Sequence, residues 1–259
     1  MDRQAPRRSL AVTKLNAAKE IQMRSLKLTA TTLAAAMLTT TILAGIAIAS
    51  SQFKQSAKVV LTAKKEGAST GFNASLQSSD PGAPLEKPQG LKTLTVTFPS
   101  KTTFNFKTKA LALCKANDTE MVATGGAACP AKSKLGSGNA SANGAPALPK
   151  IEENVTAYAF NKQIVLLLAP KVLGAGSVIV LHGKISGNKM TTEVPPLKVG
   201  GLTIVITGLQ LKVKAVGSGK TTWAKAGKCA SKKFTVKSEF LYETGEKLTI
   251  SSSSGCSKK

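Results

Sequence analysis

The residues of this chain that could do chemistry are one histidine, an adjacent pair of acids, a Gly-Lys-Thr turn and four cysteines. His182 stands in Ile179-Val180-Leu181-His182-Gly183. A hydrolytic histidine needs a Ser or Cys nucleophile and an orienting carboxylate. No Gly-x-Ser-x-Gly elbow occurs, and no acid lies close to His182 in sequence. Gly136-Ser137-Gly138 has no elbow context. We read His182 as a structural residue at a strand end, with a dispersed hydrolase site around it as the alternative. Glu152 and Glu153 are adjacent, so on a strand they point to opposite faces. A glycosidase instead sets two acids across a cleft of about 5–10 Å. Gly217-Ser218-Gly219-Lys220-Thr221-Thr222 lacks the first glycine of a phosphate loop, because position 214 is Lys. No helical pattern follows it to offer an N-terminus to phosphate, so it reads as a turn between strands.

Cys114, Cys129, Cys229 and Cys256 show no C-x-x-C pair, and the lone histidine is remote from them. That spacing does not suit a structural zinc site. We expect no metal, no cofactor and no catalytic constellation. Four cysteines in an exported chain favour disulfides, with three connectivities open. The nearest-neighbour pairs, Cys114–Cys129 and Cys229–Cys256, are expected. For the second, residues 233–242 and 247–252 read as a hairpin turning at Glu243-Thr244-Gly245-Glu246. A turn centred between 244 and 245 makes paired positions sum to 489 and sets 256 opposite 233, four residues from Cys229.

Export is inferred from the first 49 residues. Seven basic residues precede an uncharged stretch from Leu28 to Ala49 that ends in Ala47-Ile48-Ala49. The stretch suits a signal peptide. Its 22 residues, from 28 to 49, also suffice for an uncleaved signal-anchor. The whole chain holds 36 Lys+Arg and 13 Asp+Glu, of which seven and two precede residue 50. Residues 50–259 therefore carry 29 basic and 11 acidic residues, a net +18. Such an excess favours anionic partners, among them wall or lipid polymers. In sequence the lysines are dispersed, as on a solvated face. One Trp, two Tyr and no recognisable nucleic-acid motif speak against a specific nucleic-acid reader. Asn73, Asn117, Asn139 and Asn154 begin Asn-x-Ser/Thr sequons, which matter only in a glycosylating host.

Period-2 alternation dominates after residue 50 and helical signals are nearly absent. Leu94-Val96-Phe98, Leu209-Leu211-Val213 and Phe234-Val236 alternate with polar residues. Ile164–Ala169 and Val178–Leu181 are apolar throughout, as in strands buried on both sides. Ser186-Gly187-Asn188-Lys189 suits a tight hairpin. The Gly-, Ser- and Ala-rich stretch Gly136–Pro149 reads as a linker or long loop. About ten strands predict an all-β chain, an antiparallel β-sandwich in one large or two small units. The halves would be 50–149, with Cys114 and Cys129, and 150–259, with Cys229 and Cys256, behind the signal or anchor segment 1–49.

The run Cys129-Pro130-Ala131-Lys132-Ser133-Lys134-Leu135-Gly136-Ser137-Gly138-Asn139-Ala140 resembles the C-P-x-x-S-x-[IVL]-G-x-G-x-A element of uncharacterised secreted proteins of actinobacteria. Phe98-Pro99 with Cys114, and Cys229, Glu243-Thr244-Gly245-Glu246 and Cys256, resemble its flanking elements. Thr244 stands where that pattern has Asp. The resemblance spans roughly residues 55–259. It implies export, β structure and paired cysteines, and no catalytic residues. The functional expectation is a non-catalytic extracellular or cell-surface β protein that contacts anionic wall or lipid polymers. The rivals are the hydrolase around His182 and a carrier of an apolar ligand between sheets.

Overall fold

The computed structural model describes residues 52–172, 177–199 and 201–258. The signal or anchor segment 1–49 lies outside the described residues. Fourteen strands and one α-helix follow in chain order. They are β1 (Lys54–Leu61), β2 (Phe72–Ser79), β3 (Leu91–Thr97), β4 (Thr103–Phe104), α1 (Asp118–Thr124), β5 (Lys134–Gly144), β6 (Leu148–Phe160) and β7 (Gln163–Pro170). After these come β8 (Ile179–Ser186), β9 (Lys189–Glu193), β10 (Leu197–Val199), β11 (Leu202–Val213), β12 (Ala224–Lys225), β13 (Lys233–Tyr242) and β14 (Lys247–Gly255).

All but β4 and β12 join one sheet, in the order β1-β2-β11-β5-β6-β7-β8-β9-β3-β13-β14, with β10 on β11. Its ladders are antiparallel, and the sheet curls until β14 lies beside β1. The fold is therefore all-β, as expected, but a nearly closed barrel replaces the expected sandwich. Bulges explain the curl. Register shifts occur in β5 near Gly136, between β5 and β6 near Gly144, in β11 between Ile206 and Gly208, and in β3 at Lys92, opposite Leu241 and Tyr242. Each bends its strand and adds twist. At Gly138 a Cβ would lie 1.7 Å from Gln210 O, so only glycine allows β5 to press on β11 there.

The expected division into halves does not describe this sheet. β11, from the second half, lies between β2 and β5 of the first. Gly136–Pro149 is neither linker nor loop, because it supplies most of β5 and the start of β6.

The seam is different in kind. β1 and β14 run parallel, and beyond both strands Lys65 and Ser257 form a parallel bridge. Glu66 N–H donates to Ser257 O (3.0 Å) and Ser257 N–H to Lys64 O (2.9 Å). Midway, a side chain joins the two edges. Val59 N–H donates to Ser252 Oγ, and Ser252 Oγ donates to Ala57 O, both at 3.2 Å.

Strand directions give the barrel two distinct ends. Short connections, 80–90, 145–147, 194–196 and 243–246, lie at one end, which we call the rim. Segments 62–71, 98–133, 161–162, 187–188, 214–232 and 256–258 lie at the other. That other end is plugged. Phe72, Phe98, Phe104, Trp223 and Phe106 contact in series, with centroids 5.3–6.1 Å apart, and Trp223 Nε1–H donates to Lys214 O (3.1 Å). Both expected disulfides form, and both belong to this end. Cα separations are 4.8 Å for Cys114–Cys129 and 5.9 Å for Cys229–Cys256.

The last hairpin differs from expectation by one position. Its pairs, such as Phe234 with Ser254, sum to 488. Tyr242 O accepts from Gly245 N–H, and Gly245 takes φ +86°, which makes a three-residue loop with a glycine bulge. A one-residue change of register inverts the faces, and this one points Leu248, Ile250 and Ser252 inward. The helix was missed in sequence. Asn117 and Glu120 cap it reciprocally, and Gly125 ends it in the left-handed region. With the Cys114–Cys129 loop it covers the outer face of β6–β8, burying Met121 against Tyr158, Val165 and Leu167. That cover explains why β7 is apolar on both faces.

Ser252→Ala would leave the buried Val59 N–H without a partner. We expect a loss of about 1–3 kcal/mol in denaturant unfolding, whereas Ser253→Ala, on the exposed face, should change stability by less than about 0.5 kcal/mol. Equal effects of the two would mean that Ser252 does not fasten the seam.

Candidate functional site

The inward side chains of the strands do not fill the barrel. Between the aromatic plug and the rim lies an apolar cavity of about 90 Å³. Leu94 and Val96 (β3), Leu166 (β7), Leu209 and Leu211 (β11) and Phe240 (β13) are among its walls. Period 2 places these residues inward, because each alternates with an exposed or outward neighbour.

Toward the rim the lining turns polar with Gln55, Gln77, Ser78 and Gln89. The side chains of Gln55 and Gln89 are already engaged with the protein. Tyr242 OH donates to Gln55 Oε1 (3.1 Å), and Gln55 Nε2 donates to Gln77 O (3.1 Å). Gln89 Nε2 donates to Glu246 Oε2 (2.7 Å) and Gln89 Oε1 accepts from Thr244 Oγ1 (2.6 Å). Phe53 stands edge-on to Tyr242 at 4.9 Å. Burial, with the nearby Glu246 charge, raises the Tyr242 phenol well above its ordinary range, so it stays a neutral donor. A cavity of this size has room for water. Its walls, however, offer few free partners, and water needs two to four. A hydrocarbon group meets no such requirement.

Glu153 is the one acid buried in the barrel wall, at 2% exposure. It faces inward between Ile151 and Val155 on β6, and its Oε2 has no hydrogen-bond partner. Across the sheet it is opposite Ala140 on β5, which is in turn opposite the cavity residue Leu209. Burial pushes the Glu153 carboxyl up to about 7. Its neighbour Glu152 points outward, where Lys150 (3.0 Å) and then Lys171 (3.3 Å) hold its carboxyl below the usual range. The opposite orientation of the two acids agrees with the sequence reading. The burial of Glu153 was missed, although Ile151, Val155, Ala157 and Ala159 at even spacing place position 153 on the apolar face.

His182 lies within β8 rather than at its end and points outward. Nε2 donates to Asp118 Oδ1 (2.9 Å) and Oδ2 (3.1 Å), and Nδ1 lies 3.0 Å from Gln163 Oε1. The orienting acid that the sequence could not supply thus comes from α1, 64 residues away. The second nitrogen faces an amide, not a hydroxyl or thiol, so the pair fastens α1 to the sheet without a nucleophile. Gly219–Thr221 forms a single 3-10 turn closed by Ser218 and Thr221, which is the turn expected there. Among the described residues no cluster of three His, Cys, Asp or Glu side chains could hold a metal. No described helix is long and apolar enough to cross a membrane.

No family model matches this chain, and neither does any curated protein or solved structure.

Glu153 ties stability to pH. A raised folded value means that the native state keeps a proton which the unfolded chain loses between about pH 4.5 and 7. Stability from this residue is complete below that window and falls as pH rises through it, by on the order of 3 kcal/mol. Urea unfolding of Glu153→Gln should lose this slope and leave the variant more stable than the parent above pH 7. Parallel pH profiles for the two proteins would contradict the assignment.

Proposed function

We propose that this protein is a non-catalytic extracellular binding protein that encloses an apolar chain in its barrel. The observation that carries this reading is the cavity between the aromatic plug and the rim, with Leu94, Leu166, Leu209 and Phe240 among its walls. Of the three readings offered by the sequence, the apolar carrier is the one that needed such a space. The space is inside a nearly closed barrel, not between two sheets. Its volume of about 90 Å³ favours the end of a single hydrocarbon chain, such as part of an acyl group, over a bulky fused-ring ligand. The engaged rim glutamines favour a ligand held by its apolar part.

The two disulfides fit an oxidising compartment. They agree with the basic and apolar N-terminal pattern and with the resemblance to secreted actinobacterial proteins. Whether residues 28–49 are cleaved off or retained, this reading has the barrel outside the cytoplasm. The hydrolase reading has less support, because His182 is spent on Asp118 and Gln163.

A fluorescent long-chain acyl probe tests the reading. The protein should bind it with a blue-shifted, enhanced emission. Ala74→Leu and Leu166→Phe fill the cavity from β2 and β7; each should weaken binding by at least about tenfold, which is 1.4 kcal/mol, with the circular dichroism unchanged. Absence of probe binding, or equal binding by both filled variants, would overturn it.

A further inference from the structure

Fourteen of the 29 lysines in residues 50–259, dispersed in the sequence, fall in segments that the fold brings to one end of the barrel. The connecting segments of the plugged end, 62–71, 98–133, 161–162, 187–188, 214–232 and 256–258, hold fourteen lysines and three acids, Glu66, Asp118 and Glu120. At the rim, segments 80–90, 145–147, 171–172, 177–178, 194–196 and 243–246 hold two lysines, Lys87 and Lys171, and four acids. The difference is +11 against −2 on one small barrel.

The charge at the plugged end is free to act outward. Thirteen of its fourteen lysines are exposed, and Lys225 is half-buried. None of them forms an ion pair among the described residues, whose pairs all involve other lysines or His182. All three acids are otherwise engaged. Glu66 accepts from Cys229 N–H (3.0 Å), Asp118 holds His182, and Glu120 accepts from Asn117 N–H (2.9 Å). Both disulfides link cysteines within these segments.

We infer that the plugged end is a docking face for an anionic lipid bilayer. The shape favours a surface over a thread. This end is closed by Trp223 and the phenylalanines around it, and the apolar cavity lies beyond that plug. The chemistry favours head groups over a specific anion. Residues 52–258 contain no arginine, so the face offers hydrated point charges and none of the planar forks that read single phosphates. Val122 on α1 is the one large apolar side chain exposed in these segments, so the contact is coulombic adsorption without deep insertion. Clustered lysines near an anionic leaflet attract it additively and within a Debye length. Docked this way, the barrel turns its rim away from the lipid. The face is independent of the cavity, and none of its lysines lines that space.

Flotation of the protein with vesicles tests the assignment. It should bind vesicles of phosphatidylglycerol and phosphatidylcholine, ignore pure phosphatidylcholine, and be released between about 50 and 500 mM salt. The triple variant Lys220→Glu, Lys228→Glu, Lys232→Glu should lose at least about tenfold in partitioning. A matched variant away from this end, Lys54→Glu, Lys198→Glu, Lys247→Glu, has the same net charge and should stay within about threefold of the parent. Equal losses in the two variants would show that net charge, not a face, governs binding. Absence of vesicle binding, or capture by soluble polyphosphate alone, would also overturn the proposal, the latter by giving this end to a polymer.

Discussion

A sheet becomes a container only where its first and last strands meet, and here β1 and β14 meet in parallel without a continuous ladder. Three contacts hold the seam. Ser252 joins the two backbones at mid-height, the Lys65–Ser257 bridge closes the plugged end, and Tyr242 with Gln55 ties the rim. An open edge would offer unpaired backbone groups to other chains. It would also let water reach Leu94, Phe240 and the facing walls. The cavity, the burial of Glu153 and the separation of the two barrel ends all follow from closure at this seam.

Closure also distributes the stabilising groups unevenly. The aromatic residues are few, yet five of them meet at one end, and the two disulfides belong to that end too. The rim is fastened by hydrogen bonds among Gln55, Gln89, Thr244 and Tyr242. The basic end is thus the covalently braced one, and the end nearest the cavity is held by weaker contacts. Such a division would suit the proposed carrier, with one end able to open while the other stays fixed.

Local pattern carried much of the fold into the sequence. Alternation marked β3, β11 and β13; Gly187-Asn188 marked the β8–β9 turn; and neighbour spacing gave both disulfides. The features that escaped are those with partners far along the chain. β2 pairs with β11 across some 130 positions, and nothing local in Phe72–Ser79 announces it. The same separation hid the approach of Asp118 to His182 and the gathering of lysines from five segments. Gly136, Gly138 and Ser137 read as a loop because a strand of small residues has weak intrinsic preference; their smallness serves the close approach of β5 to β11. Two misses were legible in principle. Asn117-x-x-Glu120 followed by Gly125 is a helix signature, and the even spacing of Ile151, Val155 and Ala157 places Glu153 inside.

The central claim is that the closed barrel contains a dry apolar space. Xenon enters such spaces and displaces nothing held by hydrogen bonds. Diffraction from crystals of the protein under xenon pressure should show a strong peak between Leu94, Leu166, Leu209 and Phe240, with no ordered water there beforehand. A volume filled by hydrogen-bonded water, or collapsed so that no xenon enters, would contradict it.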